Sequence, residues 1–250
     1  MGLLNKLGIG AGGGTGRSVS RQAPAAAGHS HGTGGGPPAV GSNRTPQADQ
    51  SNRVSNGLKE FLWNLDGLGR GTLLDLGPAW QTTLNFFIER GFRVTSDDLL
   101  HSWKDFLVEE EQRLRNAATS SDQVDLTPAG RAARFVQSNL QYPAASFDAV
   151  LLWDILDYLE PAVAKQSVAA LTELLRPGGI VFAMFHSKKP EGFQRYRVAD
   201  SSTLQVIGAA PICPAQRVYQ NREIQDLFAR FRTVKSFVGR DQLRESLFVK

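Results

Sequence analysis

Four short apolar runs in this sequence end on, or beside, a titratable side chain. Thr72-Leu73-Leu74-Asp75-Leu76 is closed by Gly77, and Phe92–Ser96 by Asp97-Asp98. Phe147–Trp153 is closed by Asp154, and Ile180–Phe185 by His186. A carboxylate at such a point can orient a loop by accepting backbone N–H groups, or can accept ligand hydroxyls. A histidine there can act as a base. Asp98 and Asp154 also suit the N-cap of the element that follows, and Asp97 is the one-residue alternative to Asp98. Further on, Arg195-Tyr196-Arg197 places two guanidiniums on one strand face with an aromatic between them. That pattern suits a carboxylate or phosphate; a charged face solvated or paired with the acidic half is the bland alternative. Metal chemistry has no support, because His29, His31, His101 and His186 are scattered and Cys213 is alone.

Regular elements must position these residues, and the periodicity predicts them. Leu58, Phe61, Leu62 and Leu65 recur at helical spacing, and the run ends near Gly67 and Gly69. Helices are expected over Thr82–Arg90, with Leu84, Phe87 and Ile88 inward, from Leu99 to about Arg115, over Pro128–Phe135, and from Val163 to Leu175. A polar loop is expected from Ala118 to Asp125. Arg176-Pro177-Gly178-Gly179 is a turn signal leading into strand Ile180–Phe185. Strand and helix in alternation imply parallel strands joined by crossover helices, hence a doubly wound, Rossmann-like α/β sheet. The C-terminal part breaks the rhythm. Phe193–Ile207 reads as a hairpin around Asp200-Ser201-Ser202, Arg222–Phe231 as a helix, and Val234–Val238 with Ser246–Val249 as a closing antiparallel pair.

Charge is unevenly spread. Residues 1–57 hold 14 of the 25 glycines, no aromatic residue, five basic residues and one acid, so they carry the whole net charge of +4. Such a segment buries too little apolar surface to offset its ordering entropy and is expected to be a disordered tail. The folded domain is expected over 58–250, and removal of 1–57 is expected to leave the melting temperature within about 2 °C. The pI of about 9.4 is therefore no argument for a nucleic-acid site on the folded part. Residues 58–185 hold 17 acids against 11 bases, and residues 186–250 hold 12 bases, Lys188 and Lys189 among them, against six acids. No uninterrupted apolar stretch of about 18 residues exists to span a membrane. Lys6 stands where a lipidation signal beginning at Gly2 needs Ser or Thr. A cytoplasmic location is expected.

Taken in order, Leu73-Leu74-Asp75-Leu76-Gly77, Asp98 23 positions after Asp75, Ser146-Phe147-Asp148-Ala149-Val150 with Leu156-Asp157-Tyr158-Leu159, and Leu174-Leu175-Arg176-Pro177-Gly178-Gly179 resemble a class I S-adenosylmethionine-dependent methyltransferase. The likeness runs from about Leu58 to the C-terminus. It implies a mostly parallel sheet closed by the C-terminal antiparallel pair, with S-adenosyl-L-methionine as cofactor at the carboxyl ends of the strands. It implies that Asp75 and Gly77 form the turn beside the methionine part, that Asp98 accepts the two ribose hydroxyls, and that Trp153 and Asp154 face cofactor and substrate. Gln137 or Asn139 would meet the adenine. On this reading Asp98→Ala weakens cofactor binding and leaves the fold intact. The helix starting near Thr82 would offer N–H groups to the cofactor carboxylate.

The resemblance also implies methyl transfer to a small molecule. His186 and Asp154 are the candidate catalytic residues, and Arg195 and Arg197 the candidate contacts for an anionic acceptor. One motif departs from the family. Where a glycine-rich Gly-x-Gly-x-Gly loop is usual, this chain reads Gly77-Pro78-Ala79-Trp80-Gln81, which places a bulky ring beside the expected pocket. The alternative expectation is therefore a methyltransferase-like binding or regulatory module without turnover.

Overall fold

The computed structural model describes residues 50–117, 125 and 127–250. The expected loop from Ala118 to Asp125 therefore lies, save Asp125, outside the described residues, as do residues 1–49 of the expected tail.

Six strands form the main sheet in the order β3-β2-β4-β5-β9-β8. They are β2 (Gly71–Asp75), β3 (Phe92–Ser96), β4 (Phe147–Trp153), β5 (Leu175–His186), β8 (Arg232–Val238) and β9 (Leu243–Val249). The first four pair in parallel, whereas β9 runs antiparallel to both β5 and β8. The expected closing pair is thus present, with β9 inserted between β5 and β8. The fold is a doubly wound, Rossmann-like α/β sheet that is mostly parallel. Leu73, Leu74, Val150, Leu151, Leu152, Val181 and Phe182 are fully buried, because the sheet's central strands are covered on both faces and their sequences are near-continuous apolar runs. Pairing advances two residues on β4 from Phe147 to Ala149 but five on β5 from Leu175 to Ile180. The excess is the Arg176–Gly179 turn, where Gly178 takes φ +80°.

Helices α1 (Asn56–Leu65), α2 (Gln81–Ile88), α3 (Leu99–Ala117), α4 (Pro128–Asn139), α5 (Pro161–Leu174) and α6 (Asn221–Leu227) fill the connections. In α2 the buried side chains are Thr83, Phe86 and Phe87, and Ile88 is exposed, contrary to the expected inward face. Phe87 is inward as expected; Thr83, Phe86 and Phe87 form the buried stripe, and Ile88, about 100° further round from Phe87, falls off it.

A second sheet of three strands was only partly legible. The hairpin β6 (Phe193–Asp200) and β7 (Thr203–Ala209) forms as expected. The third strand, β1 (Gln50–Val54), pairs antiparallel with β7 inside the segment expected to be tail. The expected boundary at Leu58 is therefore too late. Its sequence, Gln-Ser-Asn-Arg-Val, is polar and largely exposed, so it carries no strand signal of its own. It is held by what lies across from it. Arg53 Nε donates to Asp241 Oδ2 at 2.7 Å, and Arg53 Nη1 donates to Glu245. Gly57 N reaches the same buried Glu245 at 2.6 Å, while Ser55 Oγ caps α1 by accepting Leu58 N at 2.9 Å.

Candidate functional site

In an open α/β sheet the ligand crevice lies at the carboxyl ends of the strands, where the connections diverge. Here that point is β2, which β3 flanks on one side and β4 on the other. Asp75 ends β2 and is fully enclosed. Its Oδ1 accepts Gly77 N at 3.0 Å and the indole N–H of Trp153 at 2.7 Å, while Oδ2 is buried without a hydrogen-bond partner. Burial raises its pKa to about 6, against the lowering effect of those two donors. Asp75 therefore does orient the turn at Gly77.

Trp153 is the residue the sequence undervalued. It ends β4 with φ +51°, a left-handed conformation that a bulky side chain rarely adopts. The ring lies on Gly77 so closely that a Cβ there would come 2.6 Å from Nε1 and 2.7 Å from Cδ1. It stacks on Tyr196, with centroids 6.2 Å apart and planes 12° from parallel, and meets Phe182 edge-on. The glycine is required here by an indole of the same chain. Trp80 is half-buried under the Arg197 guanidinium, 5.6 Å from its ring, and Gln81 bonds Asn85 on the exposed side of α2.

Asp98 stands where it was expected, after β3, but its partners come from the chain. Arg195 Nη2 donates to Oδ2 at 2.5 Å, and His101 Nδ1 lies 2.7 Å from the same oxygen. Burial opposes ionisation of Asp98, yet the Arg195 hydrogen bond and charge outweigh it and hold the carboxyl below its ordinary value. An N-cap role is weak, since His101 N lies 3.4 Å from Oδ1. Asp97 instead accepts the Tyr142 hydroxyl at 3.2 Å. Arg195 is buried against Asp98, which is the pairing with the acidic half that stood as the alternative to an anion receptor. Arg197 bonds Gln205 across the hairpin. Thr83 Oγ1, buried on α2, accepts Val198 N at 2.9 Å and ties β6 to α2.

One strand further, the second cluster forms. His186 Nδ1 lies 2.9 Å from Asp157 Oδ2, which also accepts His186 N at 2.7 Å. Its Nε2 faces Asp154 Oδ2 at 3.8 Å, an oxygen with no hydrogen-bond partner. Burial works against a charged imidazole, but the Asp157 bond and the Asp154 charge prevail and raise the His186 pKa. Burial raises Asp154 to about 7. A cavity of about 210 Å³ opens beside His186, lined also by Lys188, Glu191, Gln194 and Asp241. In the sequence Asp157 stands only as part of the Leu156–Leu159 motif. It starts no periodic pattern, and its side chain reaches β5 only because the short 3₁₀ turn Ile155–Tyr158 folds under that strand's end.

Gln137 is not brought to either cluster. It sits exposed on α4, whose buried residues are Ala132 and Phe135. Two positions beyond Phe135 is about 200° around a helix. Asn139 caps back onto Phe135 O. Among the described residues no group of His, Cys, Asp and Glu is arranged to hold a metal ion, and no helix is long and apolar enough to cross a membrane.

The raised pKa of Asp75 has a measurable consequence. Between its unfolded value near 3.8 and its folded value of about 6, only the folded state holds the proton. Stability from this group thus falls as pH rises through that window and stays lowered above it. Asp75→Asn keeps an acceptor for Trp153 and removes the charge. The variant should melt above wild type at pH 8, by up to about 3 kcal/mol, with the gap closing near pH 4. A pH-independent difference in thermal melts would show that Asp75 is ionised at little cost.

No protein-family profile matches the chain, and no curated protein matches it. Solved structures do. The 1,6-didemethyltoxoflavin-N1-methyltransferase of Burkholderia thailandensis, solved with S-adenosylhomocysteine, is 20% identical, with 78% of each chain covered and a TM-score of 0.43. An S-adenosylmethionine-dependent methyltransferase of Mesorhizobium loti is 14% identical over 76% of this chain and 96% of its own, TM-score 0.44. The N-methyltransferase NodS of Bradyrhizobium japonicum is 16% identical over 77% and 85%, TM-score 0.38. These likenesses are too distant to carry residues or activity across.

Proposed function

We propose that the chain is a methyltransferase-type protein that takes S-adenosyl-L-methionine at the carboxyl ends of β2, β3 and β4 and serves a small-molecule acceptor in the cytoplasm. One observation carries this reading. The carboxylates of Asp75 and Asp98 end adjacent strands at the switch point of a sheet whose last strand, β9, is reversed and inserted, as the sequence resemblance implied. Asp98 would face the ribose hydroxyls and the Gly77 turn the methionine part.

In the arrangement described, S-adenosylmethionine does not fit. The space over Gly77 holds the Trp153 indole, and the Asp98 carboxylate is bonded to Arg195. The chain's own contribution lies at His186. Asp157 holds Nδ1, which leaves Nε2, facing Asp154, as the atom that gives or takes a proton, and the residue lines a cavity of about 210 Å³. Lys188, which lines that cavity, is the cation placed to meet an anionic group on the acceptor.

The filled space over Gly77 favours a second reading, a binding or regulatory module without turnover. The two separate in one assay. The full-length protein is incubated with methyl-labelled S-adenosylmethionine and a panel of small hydroxyl and amine acceptors, including carboxylated and phosphorylated ones. Label in any acceptor, with stoichiometric S-adenosylhomocysteine, supports methyl transfer. Cofactor binding without label in any acceptor supports the module.

A further inference from the structure

Asp75, Asp98 and Asp154 follow the ends of three neighbouring strands, and Arg195 lies near enough to favour the ionised form of all three. A cation is what such a set would hold, and the chain supplies one. Arg195 comes from β6, an edge strand of the small sheet, which crosses to α2 through the Val198–Thr83 bond. The next residue on β6, Tyr196, stacks on Trp153. Of the two groups that fill the cofactor site, Arg195 is supplied by β6, and Trp153 is held by Asp75 Oδ1 beneath and by Tyr196 of β6 stacked on it. Trp153 reaches Gly77 only from an unfavourable φ, so its position is enforced by these contacts and not by its own backbone preference.

We propose that β6 closes the cofactor site from within, its Arg195 occupying Asp98 and its Tyr196 clamping the Trp153 indole over Gly77, so that adenosine-bearing ligands enter only when β6 lifts. This rests on the function proposed above. The affinity seen for such a ligand is then the intrinsic affinity reduced by the small fraction of open molecules. Removing either occupant raises that fraction, and a site open about 1% of the time gains up to about 100-fold.

The test is calorimetric titration of the full-length protein with S-adenosylhomocysteine, comparing wild type, Arg195→Gln and Trp153→Leu, each checked for a cooperative melt. Trp153→Val and Arg195→Met replace any variant that does not fold. The expected result is at least about ten-fold tighter binding in each variant than in wild type. Adding Asp98→Asn to Arg195→Gln should remove that gain, because the freed carboxylate is what the ribose contacts. Wild type binding as tightly as both variants overturns the internal occupant and leaves the proposed function standing. Folded proteins none of which binds overturn the proposed function, and the occupant with it.

Discussion

Deleting residues 1–57 should lower the melting temperature by about 10 °C or more, since for a domain near this size 1 kcal/mol corresponds to roughly 2–4 °C. The deletion removes β1, the Ser55 cap of α1, and both donors to Glu245, which is only 2% exposed. A buried carboxylate stripped of its partner costs about 3–5 kcal/mol, and a lost N-cap about 1. This reverses the expectation drawn from the segment's composition. Arg53→Met alone should reproduce most of the loss. Adding Glu245→Gln should recover part of it, because a neutral amide tolerates burial better than an unpaired charge. A truncated chain that melts within about 2 °C of wild type would show that β1 only rests on β7.

Asp98→Ala should destabilise the fold by about 2–3 kcal/mol in chemical denaturation, whether or not any ligand is present. Arg195 is buried, and Asp98 is its hydrogen-bonded counter-charge. The estimate lies below that for a wholly enclosed pair because Asp98 is 18% exposed and Asp75 and Asp154 still compensate the guanidinium. The double variant Asp98→Ala with Arg195→Met should be more stable than Asp98→Ala alone, since it removes the stranded charge. Equal stability of wild type and Asp98→Ala would mean that the pair is dispensable and that Asp98 is free for ligand.

The main sheet was legible because its strands are short apolar runs bounded by Gly, Pro and Asp. Each run, such as Leu73–Leu76 or Val150–Trp153, must be buried whatever surrounds it. The positions of Asp75, Gly77, Asp98, Asp154 and His186 at strand ends followed from the same boundaries. So did the β6–β7 hairpin and the reversed final pair. The strand β1 did not follow, because a polar strand is specified by its partners. Arg53 finds Asp241 and Glu245 188 and 192 positions away, and no local pattern encodes that.

The sequence by itself determined the class of fold and which carboxylates end which strands, because burial and turn chemistry act over a few neighbouring residues. Only the tertiary structure decided what those carboxylates touch. Asp98 and Arg195, read separately as contacts for a cofactor and for an acceptor, are bonded to each other. Gly77, read as room for a ligand, is room for Trp153. Asp157, read as part of a motif, is the partner that fixes His186. Each of these is a contact between residues at least 29 positions apart, made by side chains whose directions depend on how β6, β4 and the 3₁₀ turn pack over the strand ends. Strand periodicity fixes the face a side chain leaves from, and the opposing surface fixes what it meets.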